Sequence, residues 1–563
     1  MPRVPWPQDV EAVFARLARR RGCVWLDSAC GPAGLPGREG TPGATHPSAR
    51  WSVLSAEPAA VLVHQAETTR LLAPDGTVRM AVEADPFGAL RRTLARTPTD
   101  GDAAPPACPF GPGLYGYLAY DLGRYVEPTA GAAPAADIPL PEMHLGLYET
   151  VLVLDGEQRE AHLVGRAAGP SAEALGEALA APSRERGLAD TSEAEAVGET
   201  ADDDETAEPA ADTLHCNFSR DGYLRAIERA RAYIAAGDIF QVNLSRRFTV
   251  NCGLCPRVSS RAINVMAGEG ARDQRSRLTA ARLAAGRLTA ARPAMLYRRL
   301  RRSNPAPYAA YLGLGQGRAV LSSSPELFLD LRGGRVVTRP IKGTRPRRGG
   351  VGGGEARRVS APAAQTADGN RARGGSPDPP RSSQDAFNRR QIRDLLASEK
   401  DQAELVMIVD LERNDLGRVC SYGTVRVTEP RAVEAYAAVF HTVATVEGRL
   451  HAGRDVVDLL RATFPGGSIT GAPKVRAMQI ISELEPTRRS VYTGSIGYIG
   501  PPTPAEPAGR CALNLAIRTL LAAGPNVHLQ AGGGIVADSD PLAELDETTD
   551  KARALLAALG LPA

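Results

Sequence analysis

Four carboxylates stand at spacings that could do chemistry. Asp401 and Glu404 lie three residues apart just before the apolar run Leu405 to Val409, and Glu544 and Glu547 repeat that spacing. On a helix, positions three apart share a face. Two such helices facing each other would gather oxygen ligands of the kind Mg²⁺ prefers; the same spacing also decorates ordinary solvated helices, and spacing alone leaves both readings open. Lys342 sits between an apolar residue and a Gly-Thr turn in Arg339-Pro-Ile-Lys-Gly-Thr344. A lysine so placed could serve as a nucleophile, or simply be solvated. Gly532 to Gly534 follow the strand-like run Val527 to Gln530 and could bring backbone N–H groups close to an anion, or form a plain tight turn. Arg518 would set a permanent cation beside such a turn. His441, in an apolar run, reads first as a core histidine. Phe464 to Lys474 superficially suggests a phosphate loop, but Ala472-Pro473 before the lysine breaks the nucleotide-binding pattern. Cys252 and Cys255 form a lone pair with no second pair and no neighbouring His, which argues against a four-ligand zinc site.

The elements that must position these residues are strands and helices without βαβ alternation, an α+β pattern. Ala59 to His64, Thr150 to Asp155 and Arg318 to Ser322 read as strands. Leu224, Ile227, Ala230 and Ile234 mark one face of a helix. Two ordered blocks, 1–166 and 213–563, flank an acidic linker over 167–212 containing Asp202-Asp-Asp-Glu205. Two further stretches, 252–293 and 349–388, are poor in large apolar residues and read as disordered insertions. The first repeats Arg-Leu-Thr-Ala-Ala-Arg at 277 and 287. These Arg-rich tracts lack the interleaved aromatics on which single-strand nucleic-acid binders stack bases. The 67 basic residues against 64 acidic ones among 563 likewise argue against a partner bound by bulk charge, so no nucleic acid is expected. No apolar stretch approaches the roughly 20 residues of a membrane span, and the first residues lack the pattern of a secretory signal. The eight cysteines are scattered, as in a reducing compartment. A cytoplasmic protein that touches no membrane is expected.

Seven motifs in order carry a resemblance. They are Gly237-Asp-Ile-Phe-Gln-Val-Asn-Leu244, Asn304-Pro-Ala-Pro-Tyr308, Ser322-Ser-Ser-Pro-Glu326, Pro340-Ile-Lys-Gly-Thr344, Met407 to Arg418, Phe464 to Lys474, and Ala531-Gly-Gly-Gly-Ile-Val-Ala-Asp538. Ala49 to Pro58 and Gly113 to Arg124 extend it into the first block. The chain resembles the chorismate-utilising enzymes, and among them most the component I subunits of aminodeoxychorismate synthases. The resemblance implies large antiparallel sheets forming a sandwich core with helices packed outside.

It also implies roles. Glu404 and Glu547 match Mg²⁺ ligands, with Asp401 and Glu544 as supporting carboxylates. Gly343, Thr344, Tyr498, Arg518, Gly532, Gly533, Gly534 and Lys551 match positions that bind chorismate. Glu326 matches the general acid that protonates the departing 4-hydroxyl, and His441 an active-site histidine near that group. Lys342 would attack ring C2, after which ammonia would add at C4 and give 4-amino-4-deoxychorismate, the precursor of 4-aminobenzoate for folate synthesis. Anthranilate synthases usually carry Ala at this position, so anthranilate synthase component I is the nearest rival; a non-catalytic regulatory homologue is the other. Gln241 stands where isochorismate and salicylate synthases place a water-activating Lys. Ser28, Ser48, Ala49, Arg50, Trp51, Pro307, Tyr308 and Ala309 align with a tryptophan pocket. No glutaminase nucleophile is visible, so a separate glutamine amidotransferase subunit in a heterodimer, or free ammonia, is implied. A separate aminodeoxychorismate lyase would act downstream.

Overall fold

Antiparallel strands dominate the computed structural model, which describes residues 3–28, 50–82, 84–98, 108–131, 134–181, 214–251, 293–348, 359–360, 383–436 and 439–561. They form one 12-stranded and one 13-stranded sheet. The first runs from Arg3–Val4 through Glu160–Gly165, Thr150–Asp155, Trp51–Ser55 and Val24–Asp27 into Tyr308–Gly315, Arg318–Ser324, Thr519–Ala523, Asn526–Ile535 and Gln241–Asn251. In the second, Arg426–Ala435, Val439–Arg449, Arg335–Arg339, Leu327–Arg332, Arg510–Leu515 and Ser495–Gly500 continue into Gly113–Leu118, Met143–Tyr148 and Ala60–Gln65. Strands from both sequence blocks therefore share each sheet. Val24–Asp27 pairs with Tyr308–Gly315, and Gly113–Leu118 with Ser495–Gly500.

Both faces of the central strands are covered. Thr150–Asp155 and Gly113–Leu118 are buried at every position, which is why they read as continuous rather than alternating apolar runs. Between the sheets, Val53, Val153 and Val320 from one meet Tyr115, Ile496 and Tyr498 from the other. Helices close the outside. Arg220–Ala235 is capped by Ser219, whose hydroxyl accepts the Gly222 amide. It buries Ile227 and Ala230 as the spacing predicts, together with Tyr223 and Ala226; Leu224 and Ile234 are only partly buried.

The structure corrects the linker's start. Pro170–Ala180 is a helix that buries Ala174, Leu175 and Ala178 in the same cluster as Phe14 and Leu17 of helix Val10–Leu17. Its alanines and leucine recur at three-or-four spacing, an apolar stripe that the Glu and Gly content of the segment hid. The acidic run at 202–205 and residues 252–292 lie outside the described residues. Helix Ser383–Ala397 likewise begins inside the stretch assigned to the second insertion. Among the described residues no helix is long and apolar enough to cross a membrane, and the five described cysteines are free thiols.

Two helices carry the paired carboxylates singled out above. Helix Glu399–Gly417, capped by the Ser398 hydroxyl, presents Asp401 and Glu404. Helix Pro541–Ala558, capped by Asp540 with Pro541 in its first turn, presents Glu544 and Glu547.

Candidate active site

The two helices bring their carboxylates toward the same lysines. Lys400 Nζ lies 3.8 Å from Glu544 Oε1, and Lys342 Nζ 3.9 Å from Glu404 Oε2. Glu547 pairs at 2.6 Å with Lys551, which also donates to the Gly532 carbonyl at 2.8 Å. Burial, with the charges of Asp401 and Glu547, pushes Glu404 above the ordinary carboxylate range. Burial and Glu547 do the same to Glu544. For Glu547, burial is outweighed by Lys551, Lys342 and Lys400, which hold it below. Ser539 donates to Glu544 Oε1 at 2.7 Å, while Glu544 Oε2 is buried without a partner. Among the described residues no three carboxylates close round one point; lysines stand between them. A buried carboxylate oxygen without a hydrogen-bond partner, beside like-charged neighbours, is a donor of the kind a hard cation takes. Asp401 is the exception, because Arg345 occupies it at 3.0 Å.

Lys342 sits on strand Ile341–Pro346, whose register against Val439–Arg449 shifts between Lys342 and Thr344. That bulge is made by Gly343, at φ 79°, where a Cβ would press on Leu395 and Asp401. Bulges re-aim the side chains beside them, and here Lys342 faces Glu404 and Gly534. Thr344 Oγ1 lies 3.0 Å from His441 Nδ1. Burial, reinforced by Arg518, pushes His441 down to about 3, so the ring is neutral at physiological pH. Glu326, with 5 % of its surface exposed, is raised by burial to about 7, against the opposing pull of Ser468 and Lys342. Ser468 Oγ donates to its Oε1 at 2.7 Å. A buried carboxyl that keeps its proton near neutrality is equipped to act as an acid.

Gly532, Gly533 and Gly534 are not a turn. They continue strand Asn526–Ile535 and pair with Ser245, Leu244 and Asn243. What requires glycine is close approach: a Cβ on Gly533 would sit 2.8 Å from Glu544 Oε2, and one on Gly534 would meet the Gln241 amide and lie 3.5 Å from Lys342 Nζ. Arg518, in the left-handed region at φ 51°, has no carboxylate partner among the described residues, and burial lowers its affinity for a proton. A guanidinium without a carboxylate partner has the chemistry to receive an anion.

Tyr498 is a correction. It is wholly buried in the inter-sheet core, donates to the Pro112 carbonyl at 3.2 Å, accepts from Arg510 Nε at 3.0 Å and packs on Tyr115. The tyrosine close enough to Arg518 to influence its ionisation is Tyr492. The sequence holds both in Val491-Tyr-Thr-Gly-Ser-Ile-Gly-Tyr498. What separates them is position: Tyr498 lies within the buried strand Ser495–Gly500, whereas Tyr492 precedes it in a turn. Sequence reasoning also passed over Ser468, Glu412 and Asp415. Lys474, excluded above as a nucleotide lysine, is paired with Asp415 and donates to the Thr463 carbonyl at 2.9 Å.

A separate cavity of about 520 Å³ opens between the sheets. Ser28, Arg50, Trp51, Pro307, Tyr308 and Ala309 line it; Ser48 and Ala49 lie outside the described residues. Its two carboxylates are occupied, Asp27 by Arg301 at 2.7 Å and Asp330 by Arg332 at 2.6 Å.

A family model described as chorismate binding enzyme matches residues 43–262 and 276–557, and its break falls within the stretch read as the first insertion. Anthranilate synthase component 1 of Streptomyces coelicolor is 37% identical over 84% of this chain and 77% of its own. Aminodeoxychorismate synthase component 1 of Klebsiella aerogenes is 35% identical over 98% and 97%. Among solved structures, anthranilate synthase component I from Streptococcus pneumoniae superposes with a TM-score of 0.62 at 26% identity, over 92% of this chain and 95% of that one.

Proposed function

The chain belongs to the chorismate-binding enzymes, and from that premise we propose that it aminates chorismate to 4-amino-4-deoxychorismate. The observation that carries this reading is Lys342, aimed by the Gly343 bulge toward Glu404 and the bare backbone of Gly534. Arg518, with Tyr492 beside it, and the Gly532 to Gly534 strand would receive the substrate's carboxylates. Lys342 Nζ would form a bond to ring C2 as the C4–O bond breaks, and Glu326 would give its proton so that the oxygen leaves as water. Ammonia would then bond to C4 while the C2–N bond to Lys342 breaks, and the proton the new ammonium sheds would return to Glu326, so that chorismate and ammonia yield the aminated product and water. The neutral His441, held by Thr344, would hydrogen-bond near the departing oxygen.

Mg²⁺ would be held by Glu404, Glu544 and Glu547, and when bound it would neutralise the ring carboxylate against theirs. Asp401, engaged by Arg345, would support that site from outside. Gln241 speaks for ammonia over water as nucleophile, because an amide is no base. The name component 1, borne by relatives of both kinds, supports a glutamine amidotransferase subunit as the ammonia source, with free ammonia as the substitute in vitro. The cavity between the sheets is proposed as the tryptophan pocket. Relatives at nearly equal identity keep anthranilate synthase as the second reading. Purified protein with chorismate, Mg²⁺ and ammonium salt should give a product that an added lyase converts to 4-aminobenzoate; anthranilate and pyruvate formed without the lyase would support the second reading instead.

A further inference from the structure

The turn Gly467–Ile469 carries Ser468, the side-chain donor to Glu326. Its loop is fixed at both feet, since Lys474 at one end pairs with Asp415 and reaches back to the Thr463 carbonyl at 2.9 Å before the other. Its middle rests on helix Glu399–Gly417. A Cβ on Gly467 would lie 2.7 Å from Leu411 and 3.0 Å from Glu412 Oε1. Glu412 is 2 % exposed; its Oε1 accepts the Gly467 amide at 3.0 Å, and its Oε2 is buried without a partner. An unsatisfied buried oxygen destabilises a fold, and an apolar side chain of similar size would pack there without that cost. What the carboxyl uniquely supplies is an acceptor for the turn.

We propose that Glu412 is a positioning residue for Glu326: by holding the Gly467 amide it sets the turn that brings the Ser468 hydroxyl onto the acid's carboxyl. The proposal rests on the reading of Glu326 as the acid of a chorismate amination. The groups facing Glu412 are Asp415 on its own helix, Lys474 on helix Lys474–Leu484, and Glu326 across the turn. Those facing Glu326 are Ser468, Lys342, the Ile341 amide, Lys551 and, across the turn, Glu412. Burial and Asp415 push Glu412 up, against the opposing pull of Lys474 and the Gly467 amide.

Two variants separate positioning from bulk. Glu412→Met fills the space without an acceptor, and Glu412→Gln keeps an oxygen for the Gly467 amide. A hydroxyl donated to a carboxyl favours its ionised form, so losing it leaves Glu326 harder to ionise. Chorismate consumption by Glu412→Met should fall about tenfold in kcat with KM within about twofold, and the alkaline limb of its pH profile should move to higher pH. Glu412→Gln should restore both. Infrared titration of the Glu326 carboxyl, assigned by subtracting Glu326→Gln, should show the same upward shift without any turnover. An unmoved limb and titration in Glu412→Met, whatever its stability, would overturn the proposal, as would a Gln variant that behaves like the Met variant. Wild-type protein that consumes no chorismate would sink the functional reading alone, because the infrared shift still decides this one.

Discussion

Replacing Glu326 with Gln should make the protein less active and, at alkaline pH, more stable. Burial raises the carboxyl from the ordinary 4.5 to about 7. The native state therefore keeps a proton that the unfolded chain releases, and wild-type stability falls as pH rises from 4.5 through 7. At about 1.4 kcal/mol for each tenfold change in proton affinity, that loss is on the order of 3 kcal/mol. Gln carries no proton to lose and can still accept from Ser468. The stability difference, variant minus wild type, should then grow by about 3 kcal/mol between pH 4.5 and pH 8. Urea unfolding of both proteins at several pH values reads it directly. Turnover of chorismate should fall by roughly 10²- to 10⁴-fold at every pH, the range for a lost general acid. A stability difference that stays flat with pH would mean that Glu326 titrates as an exposed carboxylate, and the reasoning that makes it the acid would fail.

Lys342→Ala should cut formation of 4-amino-4-deoxychorismate by about 10²-fold or more, measured through a coupled lyase; unchanged turnover would remove the covalent role. Glu544→Gln should weaken Mg²⁺ binding by about 10- to 100-fold in calorimetric titrations with chorismate present, because its unpartnered oxygen is the one left for a cation. Tyr492→Phe should raise the KM for chorismate, whereas Tyr498→Phe should leave KM alone and cost about 1 kcal/mol of stability, since its hydroxyl serves the core.

Much of the site was legible because its chemistry lies in short contiguous motifs. The bulge at Gly343 belongs to Pro340 to Thr344, and the i,i+3 carboxylates announce two helices. What stayed hidden depends on partners distant in sequence. Asp401 looks like its neighbour Glu404 until Arg345 is seen to hold it. Glycines 532 to 534 read as a turn because the reason for them, Glu544 and the Gln241 amide crowding one strand, comes from elsewhere in the chain. Tyr492 and Tyr498 differ only in which side of a strand start they occupy. The two-sheet sandwich was anticipated through family resemblance, whereas the sharing of each sheet by both blocks rests on pairings such as Leu26 with Ala310, which no local pattern encodes.

The central claim is that Lys342 directs amination to C4 of chorismate. Incubation with chorismate, Mg²⁺ and ammonium, followed by chromatography and mass analysis of the product before any lyase is added, tests it most directly. The account predicts 4-amino-4-deoxychorismate with its enolpyruvyl group intact and no free pyruvate. Anthranilate with an equal amount of pyruvate would contradict it.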